Sequence, residues 1–166
     1  VDELMQSADL SMYEAKRQGK NRIRFFDPVM QQTVAERLQL ETDLREALSG
    51  DQFELHYQAQ CDADGRIDGV EALARWRHPT RGLVPPGLFI AAAERCGHLP
   101  MLGQTLLEMA CIQLGRRAGD ARFSSLRLSV NMSAIQRYGP NFVADTCALL
   151  ERTGCPGDKL VFELTE

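Results

Sequence analysis

The chain has 166 residues, of which 44% are hydrophobic and 25% charged, and its formal net charge is −4. This hydrophobic content is ordinary for a globular domain, and the acidic balance argues against a general nucleic-acid binder, whose surface should be basic. The five cysteines form no C-x-x-C pair and no metal-binding spacing, which suits a reducing cytosol. No apolar run approaches the ~20 residues of a transmembrane helix. We therefore expect a cytoplasmic chain that makes no membrane contact.

The first fifty residues predict elements that cannot form a core alone. Apolar residues at helical spacing predict a helix that ends near Gly19, and alternation over residues 21–26 predicts a strand. Because a helix and a strand cannot bury a core, residues 1–28 are interpreted as the tail of another domain. Residues 29–50 predict a connecting helix. The chain begins with Val, which indicates a piece of a longer protein whose upstream part could carry a membrane anchor.

From residue 51 the pattern predicts an α/β fold. Residues 53–57 and 67–76 predict two strands that are joined by a turn, and hence an antiparallel hairpin. The later segments are predicted helices over 86–95, 101–117 and 140–152 and predicted strands over 126–130 and 159–164. Such alternation predicts a parallel sheet with crossover helices. A full (β/α)8 barrel takes ~250 residues, so the pattern accounts for about half of one.

Three oxygen-bearing side chains, Glu71, Asn131 and Glu163, lie in or at the end of predicted strands. The carboxyl ends of parallel barrel strands meet, so such residues can form one ligand set. Hard oxygen donors without Cys or His favour Mg²⁺, Mn²⁺ or Ca²⁺ over zinc. Each residue also has a structural alternative. Glu71 could pair with Arg75 or Arg77. Asn131 could cap the segment that follows it, and Glu163 could be a surface charge.

Four ordered segments resemble the first half of an EAL domain. They are FELHYQAQ at 53–60, GVEALARWRHP at 69–79, VNMSA at 130–134 and FELTE at 162–166. Residues 7–26 are similar to the last helix and strand of a GGDEF domain. The expected organisation is therefore a GGDEF tail over 1–28, a connecting helix over 29–50 and the N-terminal half of an EAL domain over 51–166.

The resemblance implies a phosphodiesterase that hydrolyses cyclic di-GMP to linear pGpG with Mg²⁺ or Mn²⁺. The implied fold is a partial (β/α)8 TIM-type barrel with an initial antiparallel hairpin, preceded by the helix–strand tail and the connecting helix. The family's metal ligands correspond to Glu71, Asn131 and Glu163. Its substrate-binding positions correspond to Gln58, Leu73 and Arg75. Glu166 matches a residue that supports a later active-site loop. The catalytic residues that the resemblance implies are therefore Glu71, Glu163 and Glu166.

The family's remaining ligands, an Asp pair, a Lys, a later Glu and a Gln, would lie beyond residue 166. We therefore expect negligible turnover from these 166 residues alone. The expected partner is cyclic di-GMP, and we expect no binding of a nucleic-acid polymer. Half a barrel has unpaired strand edges, which favour a homodimer. The alternative function is a receptor that binds cyclic di-GMP through Gln58, Leu73 and Arg75 without hydrolysing it. Intact metal ligands weigh against that alternative.

Overall fold

The computed structural model describes residues 2–17, 19–21, 23–123, 125–133, 136 and 139–165. The chain divides into two compact units, Val1–Asp43 and Leu44–Glu166. The domain limits expected at residues 28 and 50 stay predictions.

The described part of the first unit contains helix α1 (Asp2–Arg17) and most of helix α2 (Pro28–Ala47), whose last turn belongs to the second unit. Helix α2 begins where Asp27 Oδ1 accepts a hydrogen bond from the backbone N–H of Val29 at 2.9 Å. A carboxylate at this position satisfies a backbone donor that the helix leaves free. The strand predicted over 21–26 is wrong, because residues 21 and 23–26 are not in a strand. Strand hydrogen bonds need a partner strand, and the described part of this unit has none.

The second unit is built on a mixed sheet. Its strands are β1 (Phe53–Cys61), β2 (Ile67–His78), β3 (Gly82–Val84), β4 (Arg127–Ser133) and β5 (Leu160–Thr165). They run in the order β1-β2-β4-β5, and β3 pairs with β2. The β1–β2 pair is antiparallel, whereas β2–β4 and β4–β5 are parallel. The predicted hairpin and the predicted parallel sheet are therefore confirmed. The short strand β3 was not predicted, because three residues are too few for an alternation pattern.

Helices connect the parallel strands. They are α3 (Pro86–Arg95), α4 (Leu99–Arg117) and α5 (Phe142–Thr153), followed by a 3-10 turn at Gly157–Lys159. Helix α4 begins two residues earlier than predicted, since Pro100 fits the first turn of a helix. Helix α5 ends at Gly154, whose φ of 63° is a left-handed value that favours glycine. Within the described residues, none of the helices combines the length and the apolar character that crossing a membrane requires.

One face of the sheet packs against helix α4. Ala72 of β2 and Leu128 and Val130 of β4 are buried there with Ala110 of α4. At the other end of β2, Trp76 is fully buried, and its Nε1 donates to Gln52 Oε1 at 3.0 Å. Trp76 therefore belongs to the core. Because side chains alternate along a strand, the residues between these core positions point to the opposite face.

Candidate functional site

The sheet face opposite helix α4 carries a row of polar side chains. Residues that pair directly across neighbouring strands share a face. Glu71 pairs with Gln58 on β1 and with Ser129 on β4. Asn131 follows Ser129 by two residues and pairs with Glu163 on β5. The structure therefore places the three predicted ligands on one face, although the sequence spreads them over almost a hundred residues.

Glu71 and Asn131 are in direct contact. The Asn131 Nδ2 atom donates a hydrogen bond to Glu71 Oε1 at 2.6 Å. The two alternative partners considered for Glu71 make other contacts: Arg77 Nη2 lies 2.8 Å from Glu54 Oε1, and Arg75 Nη1 donates to the carbonyl oxygen of Ala74 at 2.8 Å. The Asn131 side chain turns toward Glu71. Both side chains thus point into the same site.

Glu163 is half-buried and hydrogen-bonded, which differs from a freely solvated surface charge. Its Oε1 accepts a hydrogen bond from Gln60 Nε2 at 2.9 Å. The Oε1 atom of Gln60 in turn accepts a hydrogen bond from Ser129 Oγ at 3.1 Å. Gln60 was not among the predicted site residues. The available signal was its position two residues after Gln58, which places both glutamines on the same face of β1.

The residues matched to substrate-binding positions lie on the same face. Gln58 is exposed on β1, directly across from Glu71. Leu73 and Arg75 follow Glu71 at two-residue intervals along β2, so they continue its row. Both are half-buried, and Arg75 Nη1 donates to the carbonyl oxygen of Ala74 at 2.8 Å. Glu166, the last predicted catalytic residue, lies outside the described residues.

The donor chemistry of this face fits a hard divalent cation. Two carboxylates and one carboxamide supply oxygen ligands of the kind that Mg²⁺ and Mn²⁺ prefer. A half-turn of the Asn131 amide exchanges Nδ2 for Oδ1 beside Glu71, so a carboxylate oxygen and an amide oxygen could face one ion. Within the described residues, no group of three or more His, Cys, Asp and Glu side chains offers a rival metal cluster. Glu71, Asn131 and Glu163 are the oxygen-bearing side chains of this face that would hold such a cation.

The histidines have structural partners. The Nδ1 atom of the buried His78 accepts backbone hydrogen bonds from Thr80 and Arg81, both at 3.2 Å. His56 contacts Glu54 at 3.0 Å, and His98 lies 3.3 Å from the guanidinium of Arg45.

Comparison with known proteins identifies the family. Residues 41–166 match the family described as EAL domain. The chain is 41% identical over 165 residues to the bifunctional diguanylate cyclase/cyclic di-GMP phosphodiesterase MucR of Pseudomonas aeruginosa, over 99% of this chain and 24% of that protein. It is 38% identical over 166 residues to the cyclic di-GMP phosphodiesterase NbdA of the same organism, over 99% of this chain and 21% of that protein. The chain thus spans a quarter or less of the length of these relatives.

The fold agrees with a solved relative. The structure of the MucR phosphodiesterase in its c-di-GMP complex matches with a TM-score of 0.71 and 37% identity, over 77% of this chain and 52% of that one. The parallel strands with their crossover helices form part of the barrel seen in such proteins, so the predicted partial barrel is confirmed. The chain belongs to the EAL domain family.

Proposed function

We propose that the protein containing this chain is a metal-dependent phosphodiesterase that hydrolyses cyclic di-GMP to linear pGpG. The observation that carries the proposal is the shared face of Glu71, Asn131 and Glu163, with Asn131 bonded to Glu71 at 2.6 Å. The relatives that align with nearly the whole chain include two cyclic di-GMP phosphodiesterases, MucR and NbdA.

The chemistry of the reaction explains why these residue types are needed. A phosphodiester is anionic and resists attack by water, and bound Mg²⁺ or Mn²⁺ would polarise a phosphoryl oxygen and lower the pKa of a bound water. The carboxylates of Glu71 and Glu163 supply negative charge to hold the cation, while the Asn131 amide adds a neutral oxygen. This mixture leaves part of the coordination sphere for water and substrate.

The neighbouring residues of the row suit a cyclic dinucleotide. Arg75 stays charged at neutral pH, and its planar guanidinium can donate two parallel hydrogen bonds to phosphate oxygens. Gln58 offers both a donor and an acceptor, and its exposure leaves these groups available. Leu73 lies between Glu71 and Arg75 on β2, where it provides an apolar contact for a base or ribose. The row thus places the proposed substrate-binding residues of β1 and β2 beside the proposed metal ligands of β2, β4 and β5.

We further propose that residues 1–28 are the tail of a GGDEF domain. The alignment with MucR covers 99% of this chain and therefore includes these residues, and the name of MucR includes a diguanylate cyclase. Cyclase activity measured in the full-length protein, and its loss on deletion of the upstream domain, would test this proposal.

The test of the proposed function is hydrolysis of cyclic di-GMP by the full-length protein in Mg²⁺. Glu71→Gln and Glu163→Gln each remove a negative ligand, and we expect at least about a 100-fold loss of turnover. The control Glu46→Gln changes an exposed carboxylate of helix α2 and should be neutral. Unchanged turnover in both ligand variants would refute the proposal. The 166-residue chain alone holds three of the implied ligands, so we expect little turnover from it.

A receptor that binds without cleaving is the second candidate. The exposed Gln58 and the neighbouring Leu73 and Arg75 could hold the dinucleotide without any metal. Calorimetric titration with cyclic di-GMP in EDTA, paired with the hydrolysis assay, separates the two functions. Tight binding with no cleavage in Mg²⁺ favours the receptor, whereas metal-dependent release of pGpG favours the enzyme.

A further inference from the structure

We propose that Gln60 is a positioning residue that holds the Glu163 carboxylate in the orientation a metal ligand needs. The inference rests on the proposed function, in which Glu163 binds the cation. Gln60 acts through Glu163 and is not itself assigned as a ligand.

The contact joins the two ends of the sheet. Gln60 lies on β1 and Glu163 on β5, at opposite ends of the strand order β1-β2-β4-β5. Neighbouring strands are about 4.8 Å apart, so three intervals would separate these backbones by about 14 Å in a flat sheet. The 2.9 Å contact between Gln60 Nε2 and Glu163 Oε1 requires both side chains to converge. Side chains converge in this way on the concave face of a sheet that curls into a barrel.

Gly69 leaves room for this crossing. It pairs with Gln60 across the β1–β2 hairpin, so the Gln60 side chain passes over it. A Cβ atom at Gly69 would lie 3.2 Å from Gln60 Oε1 and 3.2 Å from the carbonyl oxygen of Arg127, which is tighter than ordinary contact. The backbone of Arg127 cannot yield easily, because it belongs to the paired strand β4. A side chain at position 69 would therefore push Gln60 away from its partners.

The hydrogen-bonding groups fix the orientation of the Gln60 amide. An ionised carboxylate can only accept, so the amide nitrogen of Gln60 must face Glu163. The amide oxygen then faces Ser129, whose hydroxyl donates to it at 3.1 Å. Ser129 is only 3% exposed, so this anchor is shielded from water. The amide is thus held at one end and presents its donor at the other.

The consequence for Glu163 is a carboxylate held by a neutral donor. The Gln60 bond occupies one acceptor site of Oε1 and leaves the remaining acceptor sites, including those of Oε2, for a cation. A ligand that is already oriented loses less conformational freedom when the metal binds. Partners of this kind typically contribute 10- to 100-fold to metal affinity when they support a ligand.

The test measures Mn²⁺ affinity of the full-length protein by electron paramagnetic resonance. Gln60→Met keeps an unbranched side chain but removes the donor, and we expect the Mn²⁺ dissociation constant to rise about 10- to 100-fold. The melting temperature in EDTA reports the separate structural cost of leaving the buried Ser129 hydroxyl without its acceptor, and it should fall by about 2–12 °C. The Mn²⁺ affinity is therefore measured at a temperature at which the variant and the unaltered protein are both folded. The matched control is Gln32→Met, which removes the same type of bond, from Gln32 Nε2 to Glu36 Oε1 at 2.8 Å on helix α2. It should leave the affinity unchanged.

Gly69→Ala is an independent variant that keeps every hydrogen-bonding group. Its Mn²⁺ dissociation constant should also rise, as it should in Gln60→Met. The double variant Gly69→Ala/Gln60→Met should bind no more weakly than Gln60→Met alone, because both changes act through one contact. Unchanged affinity in Gln60→Met, or fully additive losses in the double variant, overturns the inference.

Glu163→Gln separates this inference from the proposed function. If Glu163→Gln abolishes Mn²⁺ binding while Gln60→Met leaves it unchanged, the positioning role fails and the proposed function stands. If Glu163→Gln binds Mn²⁺ as tightly as the unaltered protein does, Glu163 is not a ligand and the positioning role fails, whereas the proposed function is refuted only by unchanged turnover in both Glu71→Gln and Glu163→Gln.

Discussion

The contact between Asn131 and Glu71 allows a direct test of the proposed cation site. Asn131→Asp replaces the donating amide nitrogen, 2.6 Å from Glu71 Oε1, with a carboxylate oxygen. Two like charges about 4 Å apart repel by about 1 kcal/mol in water and by about 4 kcal/mol at an effective dielectric constant of 20. Asn131 is exposed and Glu71 half-buried, so a value of about 1–2 kcal/mol applies in metal-free solution. For a chain of this size, the melting temperature should fall by about 2–8 °C.

A bound divalent cation should reverse the sign of this effect. The extra negative ligand strengthens attraction for the metal, and a ligand that binds only the folded state raises its stability. Thermal unfolding of Asn131→Asp and of the unaltered protein is therefore compared in EDTA and in saturating Mg²⁺. We expect the gap between the two melting temperatures to shrink or invert when Mg²⁺ is present.

Asn141→Asp is the control for charge alone. Asn141 is exposed at the start of helix α5, makes no side-chain capping bond and lies outside the strands that carry the site. It adds the same single charge and should respond to Mg²⁺ as the unaltered protein does. A melting-temperature gap for Asn131→Asp that is equal in EDTA and in Mg²⁺ would refute a cation site at Glu71 and Asn131.

Two further predictions concern packing and ionisation. Gly115→Ala should destabilise the chain by about 1–3 kcal/mol in urea unfolding, because its Cβ would lie 2.2 Å from the carbonyl oxygen of Thr153. Gly87→Ala in α3 meets nothing within 4 Å, so it should be neutral or stabilising, and equal effects of the two substitutions would contradict this reasoning. Burial, with a smaller effect of a neighbouring thiol, raises the pKa of Cys111 from 9.0 to about 12. The folded state favours the neutral thiol, so its contribution to the free energy of unfolding is complete below pH 9 and declines as the pH rises toward 12. A Cys111→Ala variant should lack this part of the alkaline decline, and an identical pH profile would be evidence against it.

Local sequence patterns were sufficient to predict most of the helices and strands. They were also sufficient to predict which residues of β2 share one face of the sheet. Alternation along β2 predicts that Glu71, Leu73 and Arg75 lie on one side of the sheet, since the period of a strand is two residues. The same rule failed at residues 21–26, where alternation is present but the described part of the unit offers no partner strand. A strand is stable only when its backbone groups pair. Alternation is therefore a necessary signal and not a sufficient one.

The residue types of the proposed site could be read from the sequence, since hard oxygen donors in parallel strands are of the kind that divalent cations prefer. The contacts among them depend on strand register and sheet curvature. The bond from Asn131 to Glu71 follows from the β2–β4 register, which pairs Glu71 with Ser129. The bond from Gln60 to Glu163 joins residues 103 positions apart and needs the sheet to curl. Register and curvature result from the packing of whole strands and helices, so no local pattern around Gln60 could have revealed its partner.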